Sequence, residues 1–411
     1  MRAVYFIALT VVAFGLRFGW AAWEDPAFQG PMGEISNDDV QFHRLAENLA
    51  SGEGYRVSSD RPLTSFRAPG FPFALALLYC IVGVEPISAY IVFALLGVLG
   101  CYFSYLLASE LLNETGARVA GFLAAIYLPY AFMATRFISE NVYVPLLALG
   151  LWLFIRAWRK ESHWILASAG IVLGYATLTR PAALLLLPLL LTLLAWFDWQ
   201  ARRFQPARYF VLAIPFLAVI APWTMRNHDV HGKWILVATN GGTTFWGGNN
   251  DRVLNETRHL GYWVPSTDLP DRNRIDDASN EVERDAVEWA LGKAWVAEHW
   301  TEMPLLLVFK FARLWWLPDY GGGPRWVRIA SYAPFLILFG LFAVRCAWRR
   351  EYRTPSWLVI HCSMLALFAA ALIFCGEPRY RDANMPVLMI FAVAGLFPSS
   401  LLSRPSPLAP V

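Results

Sequence analysis

Long apolar runs recur along this chain and constrain its fold more than any other sequence feature. Ten of them are long enough to cross the hydrocarbon core of a bilayer as helices. They lie at 3–22, 87–108, 117–135, 141–157, 164–179, 181–197, 208–224, 326–346, 356–375 and 385–402. Of the 411 residues 57% are hydrophobic and only 16% are charged, which is more apolar surface than a soluble domain could bury. We therefore expect an all-α polytopic membrane protein.

Two shorter apolar runs, 69–83 and 303–317, are interpreted as juxtamembrane helices. Loops rich in Lys and Arg stay in the cytoplasm, so the basic clusters test this interpretation. With ten spans, the three strongest basic clusters and both termini lie on the cytoplasmic side. If only one of the two short runs also spanned the membrane, the clusters would fall on opposite sides. The clusters are Arg156/Arg159/Lys160, Arg202/Arg203/Arg208 and Arg345/Arg349/Arg350/Arg353. The first run is interpreted as an uncleaved span because it exceeds a typical signal-peptide core.

This topology divides the chain into four parts. They are a membrane module 1–224 with a first outer loop 23–68, an outer segment 225–303, C-terminal helices 304–402 and a tail 403–411. Most acidic residues fall on the outer side, so we expect a functional site on the side away from the cytoplasm. A net charge of +3, carried in scattered clusters, gives no support for nucleic-acid binding.

Acidic residues lie at two outer positions, where an ionisable group at the membrane is a functional hypothesis by default. Asp38 and Asp39 precede an amphipathic helix in the first outer loop, so Asp38 either caps that helix or takes part in chemistry. Glu140 begins a span, where it is either functional or an interfacial carboxylate paired with Arg136.

Arginine residues lie at the same outer boundaries, namely Arg180, Arg379 and Arg381. Each is either a snorkelling side chain or part of a phosphate site. Guanidinium groups beside carboxylates suit a lipid-phosphate sugar donor. A carboxylate would take the proton of an acceptor hydroxyl, and arginine or a divalent cation would stabilise the departing phosphate. Such a one-step attack inverts the anomeric carbon.

The outer segment contains a stretch dense in Gly and Asn, from Asn240 to Asn250. Its backbone N–H groups either approach a sugar or phosphate or simply form turns. Farther along, tryptophans flank a helical face over 286–300, where they either stack on sugars or anchor the segment at the membrane surface.

The order of the motifs resembles that of the GT-C membrane glycosyltransferases. The resemblance is closest to the bacterial branch related to protein O-mannosyltransferases and the lipid A aminoarabinose transferase. The motifs are Ser36-Asn37-Asp38-Asp39, Gly54-Tyr55, Ser65-Phe66-Arg67-Ala68-Pro69-Gly70-Phe71-Pro72, Ile138-Ser139-Glu140, Leu178-Thr179-Arg180-Pro181, Ala221-Pro222-Trp223-Thr224-Met225-Arg226-Asn227, Thr239-Asn240-Gly241-Gly242, Trp246-Gly247-Gly248-Asn249-Asn250 and Pro378-Arg379-Tyr380-Arg381. Phe42 stands where the family usually has Tyr, and Ala68 where relatives often carry a second Pro.

The resemblance implies a GT-C fold in a bacterial inner membrane, with an active site that faces the periplasm or cell exterior. It implies a polyprenyl-phosphate-linked sugar donor and an extracytoplasmic acceptor. It also implies a first-loop Asp as base or metal ligand, and by its spacing to Phe42 Asp38 fits this role better than Asp39. The predicted site residues are as follows. They are Asp38, Asp39 and Glu140 for catalysis, Arg67, Arg180, Arg379 and Arg381 for the donor phosphate, and Tyr55, Asn240, Trp246, Asn249 and Tyr380 for substrate binding. The sequence leaves open whether a cofactor is needed, and the candidate is a divalent cation, Mg²⁺ or Mn²⁺, on Asp38 and Glu140. A transporter or flippase of lipid-linked sugars is the alternative function, although such proteins usually contain internal repeats.

Overall fold

The computed structural model describes residues 2–31, 37–317 and 325–396, and the regular secondary structure within these ranges is helical. The predicted tail 403–411, the end of the predicted span 385–402 and Ser36 lie outside them. The α-helices are α1 (Arg2–Glu24), α2 (Asp38–Ala50), α3 (Gly70–Val82), α4 (Pro86–Ser109), α5 (Glu114–Ile126), α6 (Leu128–Met133), α7 (Glu140–Lys160), α8 (His163–Thr179), α9 (Leu186–Gln200), α10 (Pro206–His231), α11 (Gly241–Gly247), α12 (Asp251–Asn255), α13 (Arg272–Asp276), α14 (Glu281–Glu298), α15 (Met303–Leu314), α16 (Arg325–Trp348), α17 (Pro355–Ile373), α18 (Pro378–Asp382) and α19 (Met385–Leu396). Short 3₁₀ helices cover Pro181–Leu185, Ser266–Asp268 and Arg350–Arg353.

Seven of the described helices are long and apolar enough to cross a membrane. They are α1, α4, α7, α9 with the 3₁₀ turn before it, α10, α16 and α17. The predicted spans 164–179 and 385–402 correspond to the shorter apolar helices α8 and α19. The two short runs of the sequence are α3 and α15, with 13 and 12 residues. At about 1.5 Å per residue, neither reaches across a hydrocarbon core of about 30 Å.

The predicted span 117–135 is not one helix, because α5 ends at Ile126 and α6 begins at Leu128. Between them Tyr127 has an extended backbone with φ −72° and ψ 103°. Pro129 follows in the first turn of α6, where its missing N–H group is tolerated. A hydropathy pattern records only apolar character, so it predicted a continuous helix across this break.

Arg17 satisfies the backbone carbonyl groups that the break leaves without helical partners. Its guanidinium is buried and donates hydrogen bonds to the carbonyl oxygens of Ala124, at 3.1 Å, and Ala125, at 3.1 Å. An unsatisfied backbone group in the hydrocarbon core costs several kcal/mol. Arg17 therefore stabilises the junction of α1 and α5 and is not a snorkelling side chain.

Replacing Arg17 by leucine is expected to destabilise the membrane domain, because the carbonyl groups of Ala124 and Ala125 lose their donor. Each buried acceptor left unpaired costs about 1–3 kcal/mol. Thermal unfolding in detergent measures the effect, and Arg2→Leu is the matched control because the Arg2 side chain is 75% exposed in the same helix. Equal melting temperatures for the two variants would contradict this role of Arg17.

The outer segment folds into a small helical unit with an apolar core of its own. This core includes Trp246, Val253, Val264, Leu291 and Trp295. The Trp295 indole N–H also donates to Asp251 at 2.8 Å. The core belongs to α11, α12 and α14 and extends to α15, so the unit is attached to the C-terminal helices. Trp300, in contrast, is 70% exposed, as membrane anchoring requires.

Candidate functional site

The ends of four helices bring ionisable side chains together at one side of the bundle. Asp38 is the first residue of α2, and Glu140 is the first residue of α7. Arg180 directly follows α8, and Arg379 lies in α18. These four residues lie between 38 and 379 in the sequence, so only the tertiary fold places them in contact.

Arg379 bridges the two carboxylates. Its Nη1 donates to Oδ2 of Asp38 at 2.9 Å, its Nη2 donates to Oε2 of Glu140 at 2.9 Å, and its Nε donates to Oε1 of Glu140. The contact with Glu140 is therefore bidentate, which is the strongest geometry of an arginine–carboxylate pair. Burial alone would lower the pKa of Arg379, but Glu140 and Asp38 raise it well above its usual value.

Two further arginines complete the arginine cluster, which we define as Asp38, Glu140, Arg67, Arg180 and Arg379. Nη2 of Arg67 lies 2.6 Å from Oδ1 of Asp38, and Nη1 of Arg180 contacts Oε1 of Glu140. Three guanidinium groups thus face two carboxylates, which leaves one formal positive charge. Glu140 is fully buried, whereas the three arginine side chains keep 14–19% of their surface exposed.

Asp38 is ionised and accessible. Burial alone would raise the pKa of its carboxyl group, but Arg67 and Arg379 lower it to about 2. Its side chain remains 34% exposed. Asn37, not Asp38, is the N-cap residue of α2, and the Asp38 oxygens contact arginines instead of backbone N–H groups. Asp38 is therefore more than a helix cap.

Asp39 lies outside the arginine cluster. Its carboxylate contacts Nε of Arg136, and the side chain is only 11% exposed. Glu140 consequently does not pair with Arg136, which was the alternative interpretation of that acid. The two neighbouring aspartates have different surroundings because consecutive helical residues point about 100° apart. Asp39 joins α2 to the segment that precedes α7.

Arg381 also lies outside the cluster, contrary to its predicted contact with the donor phosphate. The side chain is fully buried, and its Nη1 donates to the carbonyl oxygens of Leu314, at 2.8 Å, and Trp316, at 2.9 Å. Its Nε donates to Asp382 at 2.9 Å. These bonds attach α18 to the end of α15 and so fix the helix that carries Arg379.

The two predicted tyrosines lie beside the arginines of the cluster. Tyr55 is buried, and its hydroxyl donates to the carbonyl oxygen of Arg67 at 3.0 Å, so it supports the backbone of that residue. The ring of Tyr380 lies 5.3 Å from the guanidinium of Arg180. Tyr380 is thus placed to contact a ligand bound at Arg180, whereas Tyr55 acts through the backbone.

The three predicted residues of the outer segment differ in accessibility. Trp246 is buried in the core of that segment, and Asn249 is 1% exposed. Asn249 accepts a hydrogen bond from Nζ of the buried Lys310 at 2.8 Å and donates to the carbonyl of Ile373 at 3.1 Å. The predicted substrate contacts of Trp246 and Asn249 are therefore replaced by packing contacts. Asn240, half-buried before α11, keeps an accessible position.

A small open groove begins at Arg180 and continues between α9 and α17. One end contains Arg180 and Tyr380. The remaining lining is mostly apolar and includes Leu186, Leu367 and Ala370, together with the polar residues Ser363 and Asn384. The groove thus joins a guanidinium group to a lipid-like surface. A molecule with an anionic head and a hydrocarbon tail matches this arrangement.

The cluster does not fit a divalent cation held by Asp38 and Glu140. Both oxygens of each carboxylate already contact guanidinium groups, and Arg379 lies between the two acids. Within the described ranges, His, Cys, Asp and Glu form no group of three that could hold a metal ion. The arginines and carboxylates of the cluster are therefore the groups that can act on a substrate at this site.

A second network, which the sequence analysis missed, holds the backbone next to Arg67. Glu281, in the first turn of α14, accepts hydrogen bonds from the N–H of Ser65 at 2.6 Å and the hydroxyl of Thr239 at 3.1 Å. Nε2 of His231 lies 3.3 Å from the same carboxylate. An acid in the first turn of a helix is common, so the sequence offered no signal for this role.

Comparison with known proteins agrees with the fold. A family model described as dolichyl-phosphate-mannose-protein mannosyltransferase matches residues 62–225, which include Arg67, Glu140 and Arg180. No curated protein sequence matches the chain.

Solved structures with the same fold include ArnT from Cupriavidus metallidurans bound to undecaprenyl phosphate. It has a TM-score of 0.58 and 14% identity, over 96% of this chain and 60% of that one. The apo oligosaccharyltransferase of Archaeoglobus fulgidus has a TM-score of 0.56 and 14% identity, over 95% and 50% of the two chains. The same organism's oligosaccharyltransferase AglB, in complex with an inhibitory peptide and a dolichol-phosphate, has a TM-score of 0.52 and 13% identity, over 96% and 50%.

This chain spans between 50% and 60% of the length of those structures. At such low identity the likeness concerns the fold. The chain has the all-α GT-C fold that the order of its motifs predicted.

Proposed function

We propose that this protein is an inverting glycosyltransferase that moves a sugar from a polyprenyl phosphate to an extracytoplasmic lipid, glycan or protein acceptor. The observation that carries the proposal is the arginine cluster at one end of a mostly apolar groove. The match of residues 62–225 to a mannosyltransferase family supports the reaction class. The undecaprenyl phosphate and dolichol-phosphate bound to structures of the same fold support the donor class.

The donor phosphate binds to Arg67, Arg180 and Arg379 in this proposal. Guanidinium groups form paired hydrogen bonds to phosphate oxygens as readily as to carboxylates. Asp38 and Glu140 hold the guanidinium groups in position before the donor arrives. The isoprenoid chain follows the groove past Leu186 and Leu367. The sugar then projects from the phosphate towards the accessible side of the cluster.

Transfer is a single displacement at the anomeric carbon. The acceptor oxygen forms the new bond while the bond from the anomeric carbon to the phosphate oxygen breaks. The polyprenyl phosphate leaves with the electron pair, and the guanidinium groups stabilise the charge that develops on it. Attack from the side opposite the leaving group inverts the anomeric centre. The acceptor proton passes to a carboxylate of the site.

The opposite ends of the helices support an orientation of the protein in the membrane. α7 begins at Glu140 in the cluster, and Arg159 lies about 30 Å farther along at 1.5 Å per residue. Arg156 and Arg159 share the carboxylate of Glu110 at that end. The positive-inside tendency favours the cytoplasm for this end. The arginine cluster then faces the periplasm or the cell exterior.

Sugar transfer by purified protein in nanodiscs tests the proposal. The donors are polyprenyl phosphates carrying labelled mannose, glucose, galactose or 4-amino-4-deoxyarabinose, and the acceptors are bacterial envelope lipids, glycans and peptides. We expect one donor to release polyprenyl phosphate with its label moved to an acceptor, and Asp38→Asn to slow this about 100-fold because Arg67 and Arg379 lose an anchor. Transbilayer movement of an intact donor without transfer would instead identify a flippase.

Replacing Glu281 by alanine is expected to weaken donor binding, although Glu281 lies outside the cluster. Ser65 loses the acceptor of its N–H group, so the backbone that carries Arg67 two residues later is freed. A displacement of about 1 Å at a reacting group costs up to about 100-fold in rate. The measurement is the KM for the donor, with Glu298→Ala, an exposed change in the same helix, as the control. An unchanged KM would remove Glu281 from the positioning network.

A further inference from the structure

Two arginines of the cluster are joined through a close contact between α3 and α8. Arg67 lies three residues before Gly70, the first residue of α3. Arg180 directly follows Thr179, the last residue of α8. Gly70 and Thr179 are both buried and lie against each other. Each arginine is therefore only a few backbone bonds away from the point where the two helices meet.

This contact leaves no room for a side chain at Gly70. A Cβ atom there would lie 2.5 Å from Oγ1 of Thr179, 2.7 Å from the backbone nitrogen of Thr179 and 2.8 Å from the carbonyl carbon of Leu178. Non-bonded carbon atoms are normally about 3.5–4.0 Å apart. Because two of the three neighbouring atoms belong to the backbone, rotation of a side chain cannot relieve the conflict. The helices would have to separate by about 1 Å.

A hydrogen bond holds the same two helices together. The hydroxyl of Tyr175, one turn before Thr179 in α8, donates to the carbonyl oxygen of Gly70 at 2.9 Å. The hydroxyl of Thr179 donates to the carbonyl oxygen of Tyr175 at 2.9 Å and so stays within its own helix. Gly70, Tyr175 and Thr179 form what we call the α3–α8 joint. It combines a steric fit with a directional hydrogen bond.

The segment between Arg67 and the joint is short and stiff. Pro69 is the N-cap residue of α3, and its ring fixes its own φ angle. The hydroxyl of Tyr55 donates to the carbonyl oxygens of Arg67, at 3.0 Å, and Ala68, at 3.3 Å. Three residues span at most about 11 Å. A displacement of α3 at Gly70 is therefore passed on to the backbone that carries Arg67.

α8 is packed too closely against α10 to yield at the joint. An added Cβ atom at Gly170 would lie 2.5 Å from the carbonyl oxygen of Leu212, and one at Gly174 would lie 2.6 Å from that of Phe216. Small residues allow helix backbones in membranes to approach this closely. α3, in contrast, has 13 residues and an outward face on which Leu77 is 65% exposed. Enlarging Gly70 should therefore displace α3.

We propose that Gly70 is a positioning residue that sets the distance between Arg67 and Arg180 for binding of the donor phosphate. This inference rests on the proposed function. Arg67 pairs with Asp38, whereas Arg180 pairs with Glu140. Among the described residues the two arginines share no carboxylate, so the backbones that carry them contribute to their separation. A phosphate that contacts both guanidinium groups tolerates little change in this distance.

The test compares Gly70→Ala with Gly170→Ala. The control adds the same methyl group to the same helix packing, with a backbone atom at the same 2.5 Å, but about 14 Å along α8 from Thr179. The readouts are affinity for undecaprenyl phosphate, kcat/KM for the active donor, and the melting temperature in detergent. For Gly70→Ala we expect affinity and kcat/KM to fall by about 10- to 100-fold, the cost of a displacement of about 1 Å. Gly170→Ala should lower the melting temperature but keep the affinity.

Tyr175→Phe opens the joint without adding bulk. It removes only the hydroxyl that donates to Gly70. We expect the affinity for undecaprenyl phosphate to fall by about 2- to 10-fold, the range of one net hydrogen bond. Tyr102→Phe is the control, because Tyr102 is 37% exposed in α4.

A double-mutant cycle shows whether Gly70 acts through Arg67. If it does, Gly70→Ala causes little further loss of affinity in a protein that already carries Arg67→Ala, because the displaced guanidinium is absent. Effects of two residues that act through one contact do not add, whereas those of independent sites do. Full additivity would therefore show that Gly70 affects only the packing of α3, and it would overturn the proposal.

Two further results would also contradict this role of Gly70. One is wild-type affinity and kcat/KM in Gly70→Ala, and the other is an equal loss of affinity in Gly170→Ala. If Gly70→Ala does not fold, Tyr175→Phe decides, and wild-type affinity in that variant overturns the inference. If the wild-type protein transfers sugar from none of the donors, the proposed function fails, whereas the affinities for undecaprenyl phosphate still decide the role of the joint.

Discussion

Replacing Arg379 by alanine is expected to reduce sugar transfer by about 100- to 1000-fold, the effect of removing a donor that stabilises developing charge. Arg379 is the residue that contacts both carboxylates of the cluster. Its loss removes one phosphate ligand and also leaves Asp38 with Arg67 as its remaining ion-pair partner. We therefore expect weaker binding of the donor and weaker stabilisation of the leaving phosphate.

Arg379→Lys separates charge from geometry. Lysine keeps the positive charge but cannot form the bidentate contact with Glu140, so we expect it to remain well below the wild-type rate. Arg44→Ala is the matched control, because Arg44 lies in α2 with its side chain 52% exposed and contacts only Glu47 in the described chain. Transfer rates and undecaprenyl phosphate affinities are measured for all three. Wild-type transfer by Arg379→Lys would show that charge alone suffices.

The sequence predicted which helix ends carry the ionisable residues of the candidate site, but not which of these side chains contact one another. Arg379 and Arg381 appeared equivalent, since both are arginines at the same outer boundary. In a helix, residues two positions apart point about 200° apart, so only one of them can face the cluster. Which one does so depends on how α18 packs against α15, through the contact of Arg381 with Leu314.

Contacts between segments that are distant in the sequence could not be predicted either. Glu281 and Ser65 are 216 residues apart, and Glu140 and Arg379 are 239 apart. No local pattern records such pairings. The wrong prediction of one continuous helix over 117–135 has a different cause. The helix is interrupted at Tyr127. Arg17, which is far away in the sequence, donates the hydrogen bonds that the interruption leaves missing. Hydrophobic patterns therefore predicted the membrane architecture, while the polar contacts required the fold.

Replacing Glu140 by glutamine is expected to destabilise the folded protein by about 3–5 kcal/mol, the cost of breaking a buried ion pair by removing one partner. Glu140 is fully buried and neutralises Arg180 and Arg379. Without it Arg180 loses its ion-pair partner, and Arg379 keeps Asp38 as its partner. Thermal unfolding in detergent and the yield of monodisperse protein measure the loss. Since the guanidinium groups also lose their alignment, transfer should fall together with stability.

A second variant separates these two consequences. Glu140→Gln combined with Arg180→Gln removes a charge of each sign, so stability should partly return, whereas transfer should not, because a phosphate ligand is missing. If the single variant is as stable as the wild type, Glu140 contributes through alignment alone. If the double variant regains both stability and transfer, Arg180 does not bind the donor phosphate, and the phosphate site reduces to Arg67 and Arg379. Stability and activity measured on the same two variants thus decide whether this buried acid holds the fold, the phosphate site, or both.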